Sequence, residues 1–106
     1  MAARRYYLSR RARADLDTIS EYLRERSPEA ARHVLTELRN TFQLLAKNPE
    51  LGTRRDDLHP NVRVFSPSRP ARNYIVFYYP RSNGVEIWDV IHAAQDWEGM
   101  FAHGQR

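Results

Sequence analysis

No cysteine occurs among the 106 residues, so neither a disulfide framework nor a thiolate metal site is available. That composition fits a reducing cytoplasm. Long apolar runs are missing too. The basic opening Met1-Ala-Ala-Arg-Arg is not followed by an apolar stretch of roughly 7–15 residues, so neither a secretory signal nor a membrane span is expected. Glycine is scarce, at four residues, and none of them forms a phosphate-binding loop. No Ser-His-Asp set or paired carboxylate site stands out either. The histidines His33, His59, His92 and His103 lack zinc-ligand spacing. No catalytic residue, metal or cofactor is expected from these patterns.

What is present suffices for one folded domain spanning 1–106, with a core of about 4–100 and a frayed tail over 101–106. Hydrophobic residues make up 42% and aromatics 11%, which argues against disorder. A net charge of +4 with a pI near 9.8 favours an acidic partner or a nucleic acid through long-range attraction.

The order of segments is the main signal. Tyr6 and Leu8 alternate with Tyr7 as in a short strand, and Ser9 follows as a helix N-cap. Ala12, Leu16, Ile19 and Leu23 then fall on one face of a helix. Ser27-Pro28-Glu29 restarts the helix, with proline at its first position and glutamate at the positive end of its dipole. Ala31, Leu35, Leu38, Phe42 and Leu45 make a second stripe, with Val34 beside it, and Asn48-Pro49 stops it. So short a joint predicts an antiparallel helical hairpin.

Glu50–Pro60 reads as a polar loop, Val62–Phe65 as a short strand, and Asn73–Tyr79 as the strongest strand. Pro80–Gly84 is the turn of a hairpin that returns as Gly84–His92, with Asn83-Gly84 supplying positive φ. In the last strand either Trp88 and Val90 or Ile87 and Ile91 face the core. An outward Trp88 would be an interface anchor. The expected fold is α+β: an N-terminal strand, a two-helix hairpin, then three antiparallel strands.

Specific words fill this β-α-α-β-β-β order. Tyr7-Leu8-Ser9, Ala12, Asp15-Leu16 and Ile19 through Tyr22-Leu23 resemble the opening of ParE toxins in the RelE/ParE superfamily. Phe42, Leu45-Ala46, Pro49 and Gly52 continue the likeness, as do Val62-Arg63, Tyr74-Ile75-Val76-Phe77-Tyr78, Val85-Glu86-Ile87, Val90-Ile91-His92 and Asp96. Asp89 departs from it, because ParE-like chains commonly carry a basic residue there.

The resemblance implies the toxin of a bacterial type II toxin–antitoxin pair, associated with plasmid stabilisation and growth arrest. It implies a DNA gyrase inhibitor held in a hetero-oligomer by a ParD-like antitoxin, with operator DNA contacted only through the antitoxin. Such a toxin acts by binding. The alternatives are a RelE-like ribosome-dependent mRNA endonuclease and a non-toxic antitoxin-binding module. The polar positions of the RelE site fall here on Ile75, Gln95 and Phe101, none of which suits proton transfer to or from a ribose. Candidate target contacts are Asp96, Trp97, Met100, Phe101 and Arg81. Candidate receivers of acidic antitoxin side chains are Arg54, Arg55, Arg63, Arg69 and Arg72, with Trp88 as anchor.

Overall fold

The computed structural model describes residues 4–95 and 97–102, the last three as backbone only. Helices α1 (Arg10–Arg26) and α2 (Pro28–Lys47) form where the periodicity places them. Ser9 Oγ accepts from the Ala12 amide at 2.9 Å, and Ser27 Oγ accepts from the Ala30 amide at 3.1 Å. Each bond meets one of the donors that a helix start would otherwise leave unmet. Pro49 follows the α2 cap, Asn48, and prevents continuation.

The strands are β1 (Arg5–Leu8), β2 (Thr53–Arg54), β3 (Arg63–Phe65), β4 (Tyr74–Arg81) and β5 (Gly84–His92), followed by a short helix α3 (Trp97–Ala102). They make one sheet in the order β1-β5-β4-β3-β2. The α+β class and element order stand, with two corrections of detail. Four strands follow the helices, because Thr53–Arg54 pairs with β3 inside the expected loop. The first strand lies parallel to the last, with Arg5 opposite Gly84 and Leu8 opposite Ile87. Helix α3 takes in 101–102 of the expected frayed tail, whose remaining residues 103–106 lie outside the described set.

The β4–β5 turn is tighter than expected. Pro80 belongs to β4, opposite Val85. Strand β3 begins opposite Tyr78, with Arg63, so past Tyr78 a proline in β4 removes no hydrogen bond on the β3 side. Of the Asn83-Gly84 pair, Gly84 alone takes positive φ, at 144°.

Both helices pack on one face of the sheet. Leu38, Phe42, Leu45, Val76, Tyr78, Val85, Ile87 and Val90 share that core, and Tyr6 closes on Phe42 with ring centroids 5.3 Å apart. Leu35 is only half-buried while its neighbour Val34 is buried, so the α2 stripe is rotated slightly toward Val34.

The question of which face of β5 is core has a mixed answer. Phe77 pairs with Asp89 and Tyr78 with Ile87, which leaves Trp88 as the extra residue of a β-bulge. The bulge shifts the alternation by one. Ile87 and Val90 therefore both reach the helix-side core, while Trp88 and Ile91 both reach the opposite face.

Strand β1 stops at Ile87, and side chains from α1 and its cap take over the exposed edge of β5. The Ser9 amide donates to Ile87 O at 3.0 Å, Ser9 Oγ donates to Trp88 O at 2.7 Å, and the Val90 amide donates to Asp15 Oδ2 at 3.0 Å. Buried backbone groups need such partners, and this accounts for Asp15 on an otherwise core-directed stretch of helix.

Candidate partner-binding surface

The sheet face away from the helices carries its own apolar layer. Val62, Ile75, Phe77, Tyr79 and Ile91 are buried there, with Leu58, Val64, Trp88 and Trp97 partly so. Neither α1 nor α2 covers this layer; the loop after β2 and the start of α3 fold over it. Asp89, fully buried, sits in the bulge opposite Phe77. Burial limits what this carboxylate can offer a partner directly.

The loop is held by its own charges. Asp56 Oδ1 accepts from Arg54 Nε at 3.0 Å and from the Asn61 amide at 2.8 Å, while Arg54 Nη2 donates to Asn61 Oδ1 at 2.9 Å. The Arg54 bond, and then that of the Asn61 amide, holds the Asp56 carboxyl below its ordinary range. Asn61 itself takes a left-handed φ of 69°, a conformation asparagine tolerates better than most residues.

Arg55 makes a two-pronged contact with Asp57, at 2.9 and 2.8 Å, and reaches Glu98 of α3 at 3.2 Å. Its guanidinium lies 5.5 Å from the Trp97 ring, which meets Phe77 edge-on at 5.6 Å. Arg55 thus ties the loop to the C-terminal helix. The hydrogen bonds to Asp57 and Glu98 raise the arginine above its ordinary pKa, and the Arg55 bond lowers that of Asp57.

A carboxylate with a lowered folded-state pKa contributes stability above its unfolded pKa and loses it as pH falls through the folded value. For Asp57 that window lies below the ordinary carboxylate range. Arg55→Gln should raise the Asp57 pKa toward its ordinary value and remove this acid-side contribution. NMR titration of the Asp57 carboxyl carbon in both proteins measures it, and an unchanged midpoint would refute the pairing.

The other candidate residues divide by place. Arg63 turns toward its own chain, with Nη1 donating to Glu50 O at 3.1 Å and Gly52 O at 2.6 Å. Tyr78 works beside it, donating to Pro49 O and accepting from the Gly52 amide, each at 2.8 Å. Arg69 and Arg72 are exposed on the loop between β3 and β4. Arg81, at the hairpin end, pairs with Glu86 and lies 5.1 Å from the Tyr79 ring. Met100 and Phe101 lie on the α3 backbone, and Asp96 is outside the described residues. The structure therefore brings Arg55 and Trp97 together, sets Arg81 and Trp88 on either side of Tyr79, and leaves Arg69 and Arg72 on a separate loop.

Two further features carry no local sequence signal. The Tyr79 hydroxyl and His59 Nδ1 are 2.7 Å apart although 20 residues separate them, and burial raises the Tyr79 pKa. A groove of about 440 Å³ between α1 and the sheet end is lined by Asp15, Ile19, Tyr22, Tyr74, His92 and Gln95. In it His92 packs edge-on against Tyr74 at 5.3 Å and its Nδ1 accepts from the Ala94 amide at 3.0 Å. Among the described residues no cluster of histidine and carboxylate groups could hold a metal ion, and no helix is long and apolar enough to cross a membrane.

Residues 6–97 match the family model described as ParE toxin of type II toxin-antitoxin system, parDE. Toxin ParE1 of Caulobacter vibrioides is 35% identical over 92 residues, which cover 86% of this chain and 91% of that relative. Among solved structures, a chain of the chromosomal ParDE TA system from P. aeruginosa superposes with a TM-score of 0.68. It is 21% identical and the match covers 83% of this chain and 94% of that one, a likeness that bears on the fold.

Proposed function

The chain belongs to the ParE toxin family of type II toxin–antitoxin systems, and from that membership we propose that it arrests DNA replication by binding DNA gyrase in the cytoplasm. A ParD-like antitoxin neutralises it in a hetero-oligomer, and operator DNA is reached only through that antitoxin. The observation that carries the reading is the family match over residues 6–97, which takes in both long helices, all of the sheet but Arg5, and the first residue of α3. Binding, not chemistry on RNA, is supported by Ile75, which sits in the far-face apolar layer where a RelE-like site would need a polar group.

The antitoxin's carboxylates would meet the exposed Arg69 and Arg72, whose planar forks suit them, since Arg54, Arg55 and Arg63 are already engaged within the chain. An amphipathic helix of the antitoxin could lie in a groove, or a strand could extend a sheet edge. The test is a short pulse of expression in a bacterium without the antitoxin, following DNA and protein synthesis separately. DNA synthesis should stop first, with filamentation and DNA breaks. Translation stopping first would favour the endonuclease reading, and no arrest at all would leave a non-toxic binding module.

A further inference from the structure

We propose that the groove formed by His59, Tyr79, Arg81, Glu86 and Trp88, with Arg11 against the Trp88 ring, binds a single nucleotide unit. The groove measures about 410 Å³, within the size range of small-ligand sites. Its walls are aromatic. His59 lies 5.9 Å from Tyr79 and 5.5 Å from Trp88, and Trp88 lies 5.7 Å from Tyr79, all between ring centroids. Trp88 is only half-buried and His59 is exposed, so ring surface remains for a flat base to stack on. The bulge in β5 is what turns Trp88 to this face.

Each end of this aromatic patch carries a guanidinium. Arg81 stands 5.1 Å from the Tyr79 ring and Arg11 stands 5.6 Å from the Trp88 ring. Arg54 and Arg55 have their forks met by neighbouring aspartates. By contrast, Arg11 Nη1 is buried and has no hydrogen-bond acceptor among the described residues. An unmet buried donor is costly, and a phosphate oxygen would meet it once the Arg11 side chain turned past Trp88 into the groove. The Tyr79 hydroxyl bonds His59 Nδ1 and fixes the ring, leaving Nε2 for a ligand.

Glu86 selects among anions. Its carboxylate, held by Arg81, repels a bare phosphate or an acidic side chain but accepts from ribose hydroxyls or base amino groups. A nucleotide combines the flat ring, the anion and the donors that these residues ask for. The groove shares Arg81 and Trp88 with the candidate partner contacts, but the proposal rests on other observations, and its failure would leave the antitoxin and gyrase reading intact.

The chain has two tryptophans, so Trp97→Phe leaves Trp88 as the only indole reporter. AMP and GMP should change its emission saturably, and Arg11→Gln and Arg81→Gln in that background should each weaken binding about tenfold. Both substitutions are on the surface or its margin, and a circular dichroism melt checks that each variant folds. A short single-stranded oligonucleotide binding more tightly than the mononucleotides would identify the source as nucleic acid, and equal or weaker binding would identify free nucleotide. Linear, unsaturable quenching would overturn the proposal, as would inorganic phosphate producing the same response or both arginine variants binding like the parent.

Discussion

Gly84→Ala is expected to lower the melting temperature by roughly 10–20 °C, equivalent to about 3 kcal/mol for a domain of this size. Two effects add. The position holds φ at 144°, where L side chains are strained. A Cβ there would also stand 1.7 Å from the Arg5 carbonyl oxygen, so the backbone of β1 would have to move away. Moving β1 breaks the 3.0 Å bond from the Arg5 amide to Asn83 O and disturbs the parallel register with β5. It also loosens Tyr6 and Leu8, which pack against the helix-side core. Thermal unfolding followed by circular dichroism measures the shift. A melting temperature within a degree or two of the parent would mean that β1 does not depend on this close approach.

Alkaline pH probes both apolar layers of the sheet. Burial raises the pKa of Tyr74, Tyr78 and Tyr79 above that of free tyrosine. A raised folded-state pKa means stability fully present below the unfolded value and lost as pH rises through the folded one. The sheet therefore weakens on the alkaline side of the ordinary tyrosine range, and the hinge of that loss is Tyr78, whose hydroxyl bridges Pro49 and Gly52.

The helical half of the fold is legible because its signals are local. Ser9, Ser27-Pro28 and Asn48-Pro49 act within one turn of the boundary they set, and the observed ends agree with them. Strand β5 also runs over Gly84–His92 as its pattern indicates. What escaped depends on distance along the chain or on very short segments. A two-residue strand such as β2 shows no alternation, and a six-residue helix such as α3 shows little periodicity. The parallel pairing of β1 with β5 joins strands separated by two helices and three other strands, and strand composition does not encode so distant a partner.

The bulge at Trp88 is the most consequential omission. A single inserted residue exchanges the faces of everything after it, so neither simple reading of β5 could hold. At the candidate surface, the run Arg54-Arg55-Asp56-Asp57 contains its own answer: each arginine meets the aspartate two residues on. The His59–Tyr79 pair has no such trace, because a loop and a strand 20 residues apart meet only in the folded chain.

Deleting residues 97–106 should abolish toxicity while leaving the protein folded and able to bind its antitoxin. The deletion removes Trp97, whose half-buried ring lies on Phe77 and beside Arg55, and Glu98, the Arg55 partner. Among the described residues it removes none that belongs to the helix-side core. Loss of a tryptophan anchor from an interface costs about 2 kcal/mol or more, a weakening of roughly 30-fold in target binding. Trp97→Ala separates the anchor from the helix, and Glu98→Gln tests the ion pair alone, which at an exposed site is worth about 0–1 kcal/mol. Survival after induced expression should therefore rank the deletion and Trp97→Ala as harmless and Glu98→Gln as close to the parent. Melting curves and co-purification with the antitoxin establish that the deletion remains folded and engaged. A deletion that folds, binds the antitoxin and still kills would place the target contact elsewhere, on the loops that carry Arg69, Arg72 and Arg81.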